Sequence, residues 1–323
     1  MTVSKVLRNA PDISLQTKTR IRRLAEEMGY VPDSLAQGLR TRTTKLLGLV
    51  ISATTNPAAA QLALAIEERA HDLGYDLILA HSLNNAEREE ACLRKMLARR
   101  VDGLFVAPVY RLAPTASIYE ELKRSGTPVV VLGSVAPFCE AFTCVETDDQ
   151  PASYQATRHL IQLGHKRIAF FAGPAAAPWA QSRSEGYHRA IREAGIDDDD
   201  NLIFSAGSTI EDGQKAALEM LNEDVCATAI QAVNDLVAVG AANVFLNQGL
   251  KIPQDLSILG FGNVPPAEHF RVPLTTVGQP QYQLGLGAVE SMFDLLRGGK
   301  PRSKTFPTEL ILRASTGPAA AKH

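Results

Sequence analysis

The sequence predicts an α/β fold, with two doubly wound parallel sheets as two lobes behind a small basic helical arm. Three observations predict it. From Leu46 onward, apolar runs of strand length alternate with amphipathic helical stretches, the pattern of parallel strands covered on both faces. The 323 residues accommodate two such units at roughly 150 residues each, plus an arm. Charge is also unevenly placed. Residues 1–46 carry +5, whereas the whole chain carries −2. A basic end on an acidic body is expected where only that end meets a polyanion.

The arm begins with residues 2–8, which read as the tail of a short helix. Ser14 is placed to cap a second helix over about 15–28. Ile21, Leu24, Ala25 and Met28 then follow the spacing of one apolar face, and Gly29 suits the left-handed stop. Pro32 fits the first turn of a third, very short helix over Asp33–Leu39. Arg40–Lys45 is a polar linker of three threonines and three basic residues.

In the body, strands are expected at Leu47–Ser52, Asp76–His81, Gly103–Ala107, Pro128–Leu132, Arg167–Ala172, Leu202–Ser205, Thr228–Gln231 and Leu256–Phe261. Helices are expected at about 57–73, 86–99, 114–125, 151–163, 180–194, 211–222 and 235–249. A late helix at 281–297 and strand at 305–312 return to complete the first sheet and then the second. Several crossovers between two lobes make a hinged cleft, and ligands of open α/β sheets bind beyond the carboxyl ends of the strands.

Composition narrows the class. With 45% hydrophobic and 21% charged residues, the chain is neither disordered nor fibrous. No run approaches the ~18 apolar residues of a membrane helix. Met1-Thr2-Val3-Ser4-Lys5 leads into a polar segment, unlike a secretory signal. The four cysteines, Cys92, Cys139, Cys144 and Cys226, lack C-x-x-C spacing. That fits a reduced cytoplasmic compartment and no metal site.

At this point the chain resembles the lactose-repressor (LacI/GalR) family of bacterial transcription regulators over essentially its whole length. Thr2-Val3-Ser4-Lys5-Val6-Leu7 is similar to that family's recognition-helix signature. Gly29-Tyr30-Val31-Pro32, with Ala36 and Leu39, is similar to its hinge signature. Val101-Asp102-Gly103-Leu104, His159-Leu160 through Gly164-His165 to Ile168, and Ser182-Arg183 with Gly186 follow in order. So do Asn234-Asp235, Ile252-Pro253, Leu259-Gly260-Phe261 and Pro273-Leu274-Thr275-Thr276-Val277. Each motif is weak alone, and the ordered set is specific.

The resemblance implies a partial helix-turn-helix (1–30), a hinge helix and linker (31–45), and a two-lobed periplasmic-binding-protein-like core. Its N-subdomain would comprise 46–145 plus 277–304, and its C-subdomain 146–276 plus 305–318. It implies operator DNA, a small effector and a homodimer as partners, with no cofactor. Thr2, Ser4, Lys5, Arg8 and Asn9 would lie on or beside the face that reads the major groove. Leu39 would wedge into the minor groove, with Ala36 permitting close approach and Arg40 following phosphates. Family members carry a further stretch before the T-V-S. Without it Val3, Val6, Leu7, Ile21 and Leu24 lack a partner helix, and isolated helices this short are marginal. Either the natural start lies upstream, the reading favoured here, or the chain binds DNA poorly.

By the same resemblance the effector cleft would be lined by Thr54, Asn56, Asp148, Arg183, Ser208, Asn234, Asp235 and Gly262. Arg183 offers a planar five-donor fork for a carboxylate or paired hydroxyls. Gly262 stands where sugar-responsive relatives have an aspartate, and Ser208 where they have a stacking aromatic. Removing an acid near an arginine favours an anion. The start of the chain and Gly260-Phe261-Gly262 look most like gluconate-utilisation regulators, so a sugar or sugar acid is the expected effector.

Other chemistries find little support. No G-x-G-x-x-G follows a strand, no phosphate loop occurs, and no H-x-x-x-H pair or G-x-S-x-G is present. The competing readings are a stand-alone sugar-binding protein without effective DNA binding, and an enzyme using the cleft. The latter lacks a nucleophile–base or metal constellation.

Overall fold

The computed structural model describes Val6 and residues 11–29, 43–223 and 225–319. It divides into two units, Met1–Lys45 and Leu46–His323. In the first, α1 (Leu15–Glu27) starts where its cap predicts, since Ser14 Oγ accepts from the Thr17 backbone N–H at 3.3 Å. Gly29 adopts φ +59°, the left-handed stop that glycine takes without penalty. Helix α1 buries none of its residues, and Leu15 and Met28 are exposed. The expected hinge helix lies outside the described residues.

The second unit holds two six-stranded sheets. In the first the order is β11-β5-β4-β3-β1-β2, and every neighbour pair is parallel. Its strands are β1 (Leu46–Ile51), β2 (Asp76–His81), β3 (Gly103–Val106), β4 (Val129–Leu132), β5 (Thr143–Thr147) and β11 (Lys304–Phe306). In the second the order is β12-β10-β9-β8-β6-β7. Its strands are β6 (Ile168–Ala172), β7 (Ile203–Ser205), β8 (Ala229–Ala232), β9 (Ser257–Gly262), β10 (Thr275–Gly278) and β12 (Glu309–Ile311).

Each sheet is apolar on both faces, and four buried clusters result. Leu47, Leu49 and Ile51 of β1 face α2 (Pro57–Asp72) and α10 (Gln281–Leu296), meeting Ile66, Leu284 and Met292. Val50, on the other face of β1, meets Leu93 of α3 (Ala86–Ala98) and Leu122 of α4 (Ser117–Ser125). In the second lobe, α5 (Asp149–Gln162) and α6 (Pro178–Glu193) cover one face through Leu160, Tyr187 and Ile191. Helices α7 (Ile210–Asn222) and α8 (Asp235–Asn247) cover the other through Met220, Val237 and Phe245. The short α9 (Pro265–Glu268) lies between β9 and β10. Helices α7 and α8 approach closely at Gly240, where a Cβ would lie 2.0 Å from the Ile210 carbonyl oxygen.

The chain passes between lobes three times, at β5 to α5, β10 to α10 and β11 to β12. Each passage leaves the carboxyl end of a parallel strand, so the two sheets meet across a cleft at their carboxyl edges. Strands β5 and β10 go beyond the sequence expectation, and two further departures follow. The late strand over 305–312 is two strands in different sheets, and Phe306 still belongs to the first. The N-subdomain therefore runs slightly past the expected 304. Strand β12 is antiparallel to β10, so the second sheet is not wholly parallel. Only Pro307 and Thr308 separate β11 from β12. The chain thus enters the second sheet from the cleft side and must run away from it.

Candidate effector cleft

The C-lobe half of the cleft assembles around Arg183. Helix α6 begins at Pro178, two residues earlier than expected, which places Arg183 in its second turn with its side chain inward. Arg183 is 6% exposed. Its Nε donates to Asp149 Oδ2 at 2.8 Å, Nη2 is ion-paired with the same oxygen at 2.7 Å, and Nη1 donates to the Val233 carbonyl at 2.6 Å. The guanidinium carbon lies 3.7 Å from the Phe261 ring centre and 4.8 Å from that of Trp179. A guanidinium carries five N–H donors. Three are engaged, and one on each terminal nitrogen remains for a ligand.

The acid that holds Arg183 is Asp149, the residue after the expected effector contact Asp148. Asp148 is exposed at the N-cap of α5 and makes no capping hydrogen bond. Asp149, one residue on, turns inward and is 5% exposed. Its other oxygen, Oδ1, accepts from Thr147 Oγ1 at 2.6 Å and Gln279 Nε2 at 3.2 Å. Gln279 Nε2 also donates to Thr147 Oγ1 at 2.7 Å.

Ser208, Asn234, Asp235 and Gly262 form the adjoining wall. Asn234 caps α8, its Oδ1 accepting from Val237 N–H at 2.8 Å, and its Nδ2 donates to the Ser208 carbonyl at 3.0 Å. Asp235 is almost fully buried. Its Oδ1 accepts from Thr276 Oγ1 at 2.6 Å and its Oδ2 from Val264 N–H at 2.9 Å. Burial pushes its carboxyl above the usual range, and the hydrogen bond from Thr276 opposes that. Both oxygens are thus committed to the protein, so Asp235 shapes the loop after β9 rather than presenting a free carboxylate. A Cβ on Gly260 would lie 2.2 Å from Asp235 Oδ1. Gly262 has φ +132°, a conformation that L side chains rarely adopt.

On the N-lobe side, Asn56 caps α2 by accepting from Ala58 N–H at 3.0 Å, and Thr54 is exposed. Among the described residues, neither bonds to the Arg183 set. The loop after β3 also reaches toward the C-lobe. Tyr110 packs against buried clusters of both lobes, and its hydroxyl donates to the Ser134 carbonyl at 2.6 Å. Glu89, fully buried on α3, steadies this loop. It accepts from Val109 N–H at 2.7 Å, from Tyr119 Oη at 2.9 Å and from Arg111. Burial raises the Glu89 carboxyl, and these partners oppose the rise. Glu146 of β5 is also raised by burial and by the neighbouring charge of Asp149.

Comparison with known proteins decides the family. Residues 44–313 match the model for periplasmic binding proteins and the sugar binding domain of the LacI family. Residues 1–33 match the model for bacterial regulatory proteins of the lacI family. The chain belongs to the LacI family.

The LacI-family chain is 32% identical to the transcriptional regulator DegA of Bacillus subtilis (strain 168) over 319 residues. That match covers 98% of this chain and 94% of DegA. Among solved structures, it is similar to the lac repressor dimer bound to operator and the anti-inducer ONPF. The TM-score is 0.87 at 25% identity, over 98% of this chain and 94% of that one. It is also similar to the regulator CelR in complex with cellobiose. There the TM-score is 0.77 at 27% identity, over 97% of this chain and 94% of that one. The protein is accordingly an effector-controlled DNA-binding transcriptional regulator.

Of the expected site residues, Thr2, Ser4, Lys5, Arg8, Asn9, Ala36, Leu39 and Arg40 lie outside the described residues. The structure brings Arg183, Ser208, Asn234, Asp235 and Gly262 together. Sequence reasoning missed Asp149, Thr147, Gln279 and Tyr110. The doubled acid Asp148-Asp149 ahead of a helix was the available signal for the first. Among the described residues no cluster of His, Cys, Asp and Glu is arranged to hold a metal ion, and no helix is long and apolar enough to cross a membrane.

Proposed function

We propose that this regulator is a homodimeric repressor of the bacterial cytoplasm, with a basic arm on operator DNA and a sugar-type effector in its interlobe cleft. The observation that carries the effector half is Arg183. A buried guanidinium is held rigid on three donors, with two donors unspent and an aromatic ring on its face. Such a group binds vicinal hydroxyls or a carboxylate by paired hydrogen bonds. Asn234, Ser208 and the backbone around Gly262 border it and supply further polar contacts, with Asp235 acting through that backbone. Thr54 and Asn56 after β1, and Asp148 at the start of α5, would complete the lining.

The charge balance favours a neutral sugar over a sugar acid. The expectation of an anion rested on an arginine relieved of its acid by Gly262. Asp149 supplies that acid from another element, and Glu146 lies close enough to raise its own carboxyl against Asp149. An anion entering here meets a neutralised arginine and a second acid.

For the DNA half, the +5 arm and the match over residues 1–33 support operator binding. Thr2, Ser4, Lys5, Arg8 and Asn9 would contact base edges and phosphates, with Ala36 and Leu39 at the minor groove and Arg40 along the phosphates. Leu39→Ala is expected to weaken operator binding more than binding to unrelated DNA, and equal losses would remove the wedge role.

The chain contains a single tryptophan, and Trp179 lies against Arg183. Its emission therefore reports on the cleft. Titration with D-ribose, D-glucose, cellobiose and D-gluconate is expected to give a saturable change for a neutral sugar. Arg183→Met should abolish it. A response to gluconate alone would reverse the charge argument, and silence toward all four would count against a sugar-type effector.

A further inference from the structure

Resting on the effector reading of Arg183, we propose that the Asp149 carboxylate wires that arginine to the lobe hinge, with Gln279 as the positioning residue that completes the wiring. Asp149 is the first residue of α5, immediately after the first passage between lobes, and Thr147 is the last residue of β5, immediately before it. Gln279 lies in the second passage, between the end of β10 and the start of α10. The third passage is within one strand pairing, because Phe306, the last residue of β11, pairs with Thr147. Gly278, next to Gln279, pairs with Glu309 at the start of β12. The three connections thus lie side by side, and a single carboxylate joins two of them to α6.

Its two oxygens divide the work. Oδ2 takes both Arg183 bonds, and Oδ1 takes Thr147 at 2.6 Å and Gln279 at 3.2 Å. Gln279 also holds Thr147 directly at 2.7 Å. Arg183, Asp149 and Thr147 are all buried, so water does not readily replace a lost partner. A rotation of one lobe against the other changes the separation of 147–149 from 279. It therefore breaks or strains the Oδ1 bonds and weakens the hold of Oδ2 on the guanidinium. Reciprocity then requires that a ligand on Arg183, which prefers the guanidinium fixed, favours one arrangement of the passages. Both ends of the coupling are thus named: the two unspent Arg183 donors and the hinge amide of Gln279. Gln279 is the decisive residue, because its side-chain amide nitrogen reaches Arg183 through Asp149 and Thr147, while its backbone N–H bonds the Gly262 carbonyl at 3.4 Å and is untouched by a side-chain substitution.

The test is a double-mutant cycle on the full chain with Arg183→Met, Gln279→Met and the pair. It is read first without any added ligand, by hydrogen exchange of the peptides covering 143–149 and 276–281. The expected result is that Arg183→Met speeds exchange in 276–281 several-fold, although Arg183 lies on a different element. Adding Gln279→Met should then add little. Asp149→Asn should reproduce the effect of Arg183→Met. Unchanged exchange in 276–281, or effects that simply add, would overturn the wiring. The second reading is operator affinity, by fluorescence anisotropy on the promoter DNA of the protein's own gene. Here Arg183→Met and Gln279→Met are expected to shift affinity in the same direction, by about fivefold or more, and non-additively. Coupled exchange with unaltered operator affinity would reduce the network to scaffolding and overturn the proposal. A wild-type chain that binds no promoter DNA rules out only that DNA as its operator. The exchange result then decides the wiring by itself.

Discussion

Replacing Arg183 by methionine is expected to destabilise the core by about 3 kcal/mol. Methionine keeps most of the aliphatic volume against Phe261 and Trp179 and removes only the fork. What remains is Asp149, buried, without its counter-charge. Breaking one side of a buried ion pair costs roughly 3–5 kcal/mol. The lower end applies because Thr147 and Gln279 still donate to Oδ1. In a domain of this size class, that corresponds to a midpoint lower by about 6–12 °C. The assay is thermal unfolding followed by circular dichroism at fixed protein concentration, with urea unfolding alongside it. The control is the double variant Arg183→Met, Asp149→Asn, in which no charge is stranded. It is expected to recover roughly half or more of the loss. The reasoning would be refuted by a single variant within about 1 kcal/mol of wild type, or by a double variant as unstable as the two singles summed.

Other predictions follow from the same wall. Thr276→Val strands a buried oxygen of Asp235 and is expected to cost about 1–3 kcal/mol, measured by urea unfolding. Asp235 gives a pH signature. Its folded carboxyl titrates above the unfolded value of 3.8, so the unfolded chain ionises first as pH rises. Wild-type stability relative to Asp235→Asn should therefore fall as pH climbs from just below that value toward neutrality, and a constant difference would contradict the burial argument. Gly262→Asp does not simply restore a sugar-gripping acid, because φ +132° burdens any side chain by about 1–3 kcal/mol. Lower stability with no tighter sugar binding is the expected outcome. Tyr110→Phe removes the hydroxyl bond to Ser134 and should cost about 0.5–1.5 kcal/mol, with the ring's packing on both lobes retained.

Much of the architecture is legible in the sequence because its strands are apolar on both faces. Leu47 to Ile51 and Ser257 to Gly262 announce themselves in this way, and the eight strands expected from Leu47 to Phe261 each begin within about a residue of expectation. Strands β5 and β10 do not, since Thr143-Cys144-Val145-Glu146-Thr147 and Thr275-Thr276-Val277-Gly278 are half polar. Their polar side chains serve the hinge and the wall. Thr147 serves Asp149, Thr276 serves Asp235, and Thr275 Oγ1 lies 2.8 Å from Thr316 Oγ1. The polarity that hides a strand from a hydropathy reading is thus what equips the site. The antiparallel β12 was illegible for a different reason. Its direction is set by the side from which the chain enters, which no local pattern encodes.

The site shows the same division. Arg183, Asn234 and Gly262 stand out by residue type in motifs, and the structure gathers them. Asp149 was not singled out, because Asp148 carried the family match and only the helical turn decides which of two adjacent acids faces inward. Gln279 carries no motif and gains its position from the second passage between lobes.

The most direct test of the central claim is operator binding with and without sugar. The promoter DNA of the protein's own gene would be titrated with the chain at stated salt, alone and with the sugar that alters Trp179 emission. The account predicts specific binding whose affinity shifts by about five- to 150-fold on adding that sugar, with the shift lost in Arg183→Met. Specific binding that the sugar leaves unchanged, or a shift that survives Arg183→Met, would contradict it.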